Sequence, residues 1–209
     1  MNSYPGAAEV TRDLGDKVME GFSCAVSATR DDLAEYRELR PDWVAQHSER
    51  GLANWLHDRL WQHLITQLDH HDEVNFGRDE VKREFTVGVN YRFRAKRHDE
   101  HGAVRTFSTQ TALDFMLQAP VQLPLDEFEE VRLIVGYEWD SASRNVGPGV
   151  LSLRNGQHVV WHIELPSPPQ AYGDSSGDRS LPPTTDVGPA RPTIEVDDAT
   201  AKDSGAGSA

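Results

Sequence analysis

A chain of 209 residues with 37% hydrophobic residues, one cysteine and a formal net charge of -13 has room for about one domain and an appendage. The lone Cys24 rules out an intrachain disulfide and a cysteine-based zinc site within one chain, and no run of ~18 apolar residues is present to cross a bilayer. Glu9, Asp13, Asp16 and Glu20 occupy the stretch where a signal peptide needs an apolar run, and the excess of carboxylates repels nucleic-acid phosphates and anionic membranes, so the expectation is a soluble, cytoplasmic protein with a protein partner or a second copy of itself.

From Ala7 to Ser27, the residues Val10, Leu14, Val18, Phe22 and Val26 recur at every fourth position, one stripe of an amphipathic helix that Gly15 and Gly21 weaken. Thr29, with Asp32 three residues on, is expected to cap a second short helix. Its Leu33, Tyr36 and Leu39 face inward until Pro41 stops it. Ser48 is the expected N-cap of the strongest helix, in which Leu52, Trp55, Leu56, Leu60, Leu64 and Leu68 hold a 3-4 spacing. Trp61 falls off that stripe and marks a second contact, on another helix or on a partner. Asp69 to Glu73 reads as a loop.

The apolar period then changes from 3.6 to 2. Phe85, Val87, Val89, Tyr91, Phe93 and Ala95 alternate with polar neighbours, which predicts one long half-buried strand over Glu84 to Lys96. His98 to Gly102 is a turn, Val104 to Thr109 its antiparallel return, and a short helix is expected around Thr111 to Leu117. Val131, Leu133, Val135, Tyr137 and Trp139 repeat the alternation in a second long strand. Ser141 to Gly149 reads as a loop, and Asn155-Gly156 between two strand-like runs signals a two-residue type I′ hairpin.

Helices first and strands after, with no βαβ alternation, predict an α+β fold. Two or three N-terminal helices pack on a mainly antiparallel sheet of about five strands, in a single domain over residues 1–165. Residues 166–209 are rich in Pro, Gly, Ser, Thr and Asp. They carry too little apolar surface to offset chain entropy and are expected to form an acidic disordered tail.

Chemistry is sparse. No Gly-x-Ser-x-Gly, His-Glu-x-x-His or P-loop is present, so no catalytic or cofactor-binding residue is assigned. His158 and His162 share a strand face but stand roughly 13 Å apart, too far for one metal. The loop bearing His70 and His71 and the turn bearing His98 and His101 could supply a metal site if they converge. Arg92, Arg94 and Lys96 form a basic strand face that could grip phosphates, or pair with carboxylates of the neighbouring strand. The leading expectation is a non-enzymatic interaction or regulatory protein acting through Trp61 or that basic face. The alternatives are a histidine-dependent metal enzyme and a nucleic-acid binder using Arg92, Arg94 and Lys96.

Overall fold

The computed structural model describes residues 4–77, 83–104, 110–118 and 130–168. Three helices come first: α1 (Ala7–Leu39), α2 (Pro41–Gln46) and α3 (Glu49–Leu68). The expected fourfold stripe of α1 is buried, but the helix does not restart at Thr29. That residue lies inside α1, fully buried, with its hydroxyl donating to the Ala25 carbonyl at 2.8 Å. No Gly or Pro interrupts residues 22–39, and a threonine bonded back to the i−4 carbonyl is tolerated within a helix. The break comes instead at Gly15, whose φ of 76° and ψ of 160° no L side chain adopts without strain. Leu33 is buried, whereas Leu39 turns out to solvent.

Pro41 starts α2, where its missing N–H removes no helical bond. Ser48 caps α3 as expected, its Oγ accepting from the Gly51 N–H at 3.0 Å. The five leucines from Leu52 to Leu68 are all buried. Asp32 ties the two long helices together, accepting from Arg59 Nε and His63 Nε2, each at 2.6 Å. Burial alone would raise the Asp32 carboxyl, but those two donors hold it below its ordinary value.

Among the described residues six strands follow: β1 (Val74–Phe76), β2 (Glu84–Val87), β3 (Tyr91–His98), β4 (Val131–Asp140), β5 (Asn145–Asn155) and β6 (His158–Glu164), with α4 (Gln110–Met116) between β3 and β4. Spatial order equals chain order. Every neighbouring pair is antiparallel except β3 and β4, which run parallel with Tyr91 opposite Val131. The sheet is therefore mixed, two three-stranded meanders joined at a parallel seam. After His98 the expected antiparallel return begins, with one bridge joining His98 to Val104; its remainder, residues 105–109, lies outside the described set. α4 lies on the connection from β3 to β4, and a parallel pair needs such a crossover.

The long strand expected over residues 84–96 folds in two at Gly88-Val89-Asn90, with Gly88 at φ 60° and Val89 76% exposed at the tip. Because the loop has three residues, Val87 and Tyr91 still point the same way, so the alternation passes through the turn unbroken. The loop expected over 141–149 shortens to Ser141–Arg144. Pro148 lies within β5, beside a register shift between Tyr137 and Trp139, where a missing N–H is tolerated. The last hairpin turns on Gly156-Gln157 rather than Asn155-Gly156. Only Gly156 has positive φ, which is the sign pattern of a type II′ turn and not of type I′.

The core lies between α1, α3 and one face of the sheet. Phe22 of α1 meets Phe93 at 5.4 Å and Phe85 at 6.0 Å, and those two rings stack at 4.9 Å. Leu133, Val135, Leu151 and Leu153 continue the same apolar face. Arg30 clamps α1 onto the start of β5, donating to the carbonyls of Val146 and Gly147 at 3.0 and 2.6 Å. On the opposite face Phe115 and Met116 of α4 cover Ile134. Leu165, 5% exposed, closes the core. The tail expected from residue 166 onward lies outside the described residues after Pro168.

Candidate functional site

The basic face of β3 is largely consumed within the fold. Glu84 of the adjacent β2 accepts from Arg92 Nη1 at 3.1 Å and Arg94 Nε at 2.9 Å, and Glu130 binds Arg92 and Arg132. Burial works against ionisation of Glu130, yet the two arginine hydrogen bonds outweigh it and depress its pKa. Arg94 is 9% exposed, with its guanidinium 4.2 Å over the Phe115 ring. Lys96 is half-buried; burial, then the Arg94 charge, lowers its pKa. The pairing with carboxylates of a neighbouring strand is thus present.

The four candidate metal histidines are not brought together. His70 and His71 stack on each other at 4.2 Å, beside Val74, which is level with Tyr91 at the start of β3. His98 ends β3, seven residues further along, or roughly 23 Å away. His98 is 1% exposed, and its Nε2 meets Ser152 Oγ at 2.9 Å. His101 is exposed beside Glu100. Among the described residues no three His, Cys, Asp or Glu side chains gather where they could hold a metal.

The His98–Ser152 pair has the spacing of a base and a hydroxyl nucleophile, but Ser152 has no exposed surface. Burial, and then the charges of Arg154 and His162, lower the His98 pKa to about 4. Its Nδ1 makes no well-formed hydrogen bond among the described residues. The arrangement is a buried polar contact, reinforced by Arg154, which donates to the Gly102 carbonyl at 2.7 Å. Trp61, expected as an exposed contact, packs half-buried on Phe76 and Phe85 at 5.4 and 6.2 Å. Cys24 is half-buried, and burial, then the nearby Glu20, raise its thiol pKa.

What remains open is an edge. β6 ends the sheet, so one side of it has no strand partner among the described residues. Beside it lies a groove of about 540 Å³ between α1 and the end of β6. Met19 and Ile163 give it an apolar floor, Pro166 closes one end, and Asp16, Glu20 and Glu164 stand around it. None of these three carboxylates forms an ion pair among the described residues, and all three residues are exposed. Sequence reasoning passed over this place. The polar side of α1 is readable, but that β6 lies at an edge, and beside α1, depends on strand order. A second exposed feature is the α1–α2 corner, where Leu39 and Trp43 are 62% and 61% exposed and Arg40 lies over the Trp43 ring.

No helix among the described residues is long and apolar enough to cross a membrane. Comparison with protein families, with curated proteins and with solved structures finds no match to this chain.

Proposed function

We propose that this chain is a non-enzymatic interaction protein that takes an extended segment of a protein partner along the free edge of β6, beside α1. The observation that carries the reading is the coincidence of an unpaired strand edge with a groove that has an apolar floor. An unpaired edge offers a row of backbone donors and acceptors, and a neighbouring groove gives alternate side chains of an added strand somewhere to sit. The metal-enzyme and nucleic-acid readings draw less from the same geometry, since His70 and His71 stand far from His98 and since Arg92 and Arg94 already hold Glu84. Trp43 and Arg40 have residue types that dominate binding energy at interfaces, and with the exposed Leu39 they serve as a second contact for a larger partner.

Peptides selected from a random extended library on the full chain, followed by hydrogen exchange read by mass spectrometry, test this. Binding should slow exchange of the outward-facing amides between His158 and Glu164 by tenfold or more. Ligands that protect other segments and leave β6 unchanged would sink the proposal.

A further inference from the structure

We infer that the segment held at β6 is basic: an extended peptide that sets an apolar side chain over Met19 and Ile163 and lysines or arginines against Asp16, Glu20 and Glu164. This rests on the β6-edge reading and adds the chemistry of the partner. Among the described residues the groove has no cationic side chain in its lining, and its carboxylates come from two elements, Asp16 and Glu20 on α1 and Glu164 on β6. Unpaired carboxylates standing close together raise the potential energy of one another, and a cation brought between them lowers it. Glu84 and Glu130, in the interior of the sheet, are by contrast neutralised within the fold by Arg92, Arg94 and Arg132.

The pleat says where the charges belong. Ile163 pairs with Leu151 and so faces the helices, while Glu164 pairs with Val150 on the opposite face. An added strand alternates in the same way. One of its residues sits on Met19 and Ile163, a residue two positions away reaches Asp16 and Glu20, and an adjacent one reaches Glu164.

Two other occupants fit less well. The chain's own segment after Pro168 carries seven carboxylates against Arg179, Arg191 and Lys202, so its net charge repels the groove. A second copy pairing edge to edge offers this groove residues 158–164 of its own β6, which contain neither lysine nor arginine.

The test uses the full chain and three capped octapeptides in which a central valine is flanked on each side by two residues of lysine, glutamine or glutamate, the outer positions being threonine, so that charged residues stand both beside the valine and two positions from it. Affinity is read by fluorescence anisotropy, and location by hydrogen exchange over β6. The lysine peptide should bind at least tenfold more tightly than the glutamine peptide, protect residues 158–164, and lose that advantage as salt rises from about 0.05 M to about 0.5 M. In the doubly substituted Asp16→Lys/Glu20→Lys chain the preference should pass to the glutamate peptide; both positions are exposed on α1, so the fold tolerates the change. Equal binding of the lysine and glutamine peptides with β6 protection would overturn the charge inference and leave the edge reading standing. Lysine-peptide binding that ignores the double substitution would overturn it by locating the peptide elsewhere on the chain. If no peptide protects β6, the edge reading falls as well.

Discussion

Arg94 looks solvent-facing in the sequence, one of three basic residues alternating with the apolar side of a strand. It is buried because the far face of the sheet is covered too, by α4 and by the turn after β3. Alternation separates the two faces of a strand but says nothing about what lies on the polar one. His98 carries the same lesson. Its partner Ser152 is 54 residues away, and no local pattern reports that contact. Its burial has a measurable consequence. The imidazoles of His98 and His57 are both held at about 4 against an ordinary 6.5, His57 by burial and then by the charges of Lys96 and Arg83. The unfolded chain therefore takes up two protons as pH falls below 6.5 that the folded chain refuses, so stability present above that pH is lost on the way down towards 4. Between pH 7 and pH 5 each histidine should remove about 2 kcal/mol. Carboxylates depressed in the fold, such as Asp32 and Glu130, act only below this window. Urea unfolding at the two pH values should show His98→Gln losing about half as much stability as the native chain over that interval. An unchanged pH dependence would mean that His98 is not held neutral.

At the scale of elements, the leucine spacing of α3 and its Ser48 cap were readable because a helix announces itself within a few turns. The same is true of β4. The three-residue β1 is too short to carry a period, and the turn at Gly88 is hidden by its own odd length. Residues Gly15 and Gly21 both looked like weaknesses in α1, yet they do different things. Gly15 supplies a backbone angle that breaks the helix. Gly21 is helical and buried, and a Cβ there would stand 2.5 Å from Leu68 Cδ2, so it lets the last turn of α3 close against α1. Gly21→Ala should therefore destabilise through overpacking by about 1–3 kcal/mol, even though alanine favours the helix. Leu68→Ala removes a buried side chain and should cost about 2–5 kcal/mol. If the two meet as the packing implies, the double substitution will cost less than the sum of the singles by about 1 kcal/mol or more. Additive effects in a denaturant cycle would show that α3 does not press on Gly21.

For the whole molecule, the order of helices and strands made the α+β class legible, while the parallel seam between β3 and β4 was not, because strand order is decided by long-range pairing. The edge position of β6 belongs to the same missing information, which is why the groove beside it could not be read from the residues alone. Composition, by contrast, changes after Leu165, where large apolar residues become sparse. Among the described residues the core cluster ends at Leu165, whose N–H donates to the Gly149 carbonyl at 2.8 Å. The segment after Pro168 supplies -4 of the -13 net charge and few large apolar residues, so it has little with which to stabilise a core. A chain ending at Pro168 should then unfold at the same temperature as the full chain to within about 2 °C, since each 1 kcal/mol moves the midpoint by roughly 2–4 °C at this size. It should also relieve some self-repulsion among like charges, and any shift from that source is upward and shrinks with salt. A fall of more than about 5 °C would mean that residues beyond Pro168 contribute packing that their composition does not suggest, and the domain boundary would have to move towards the C-terminus.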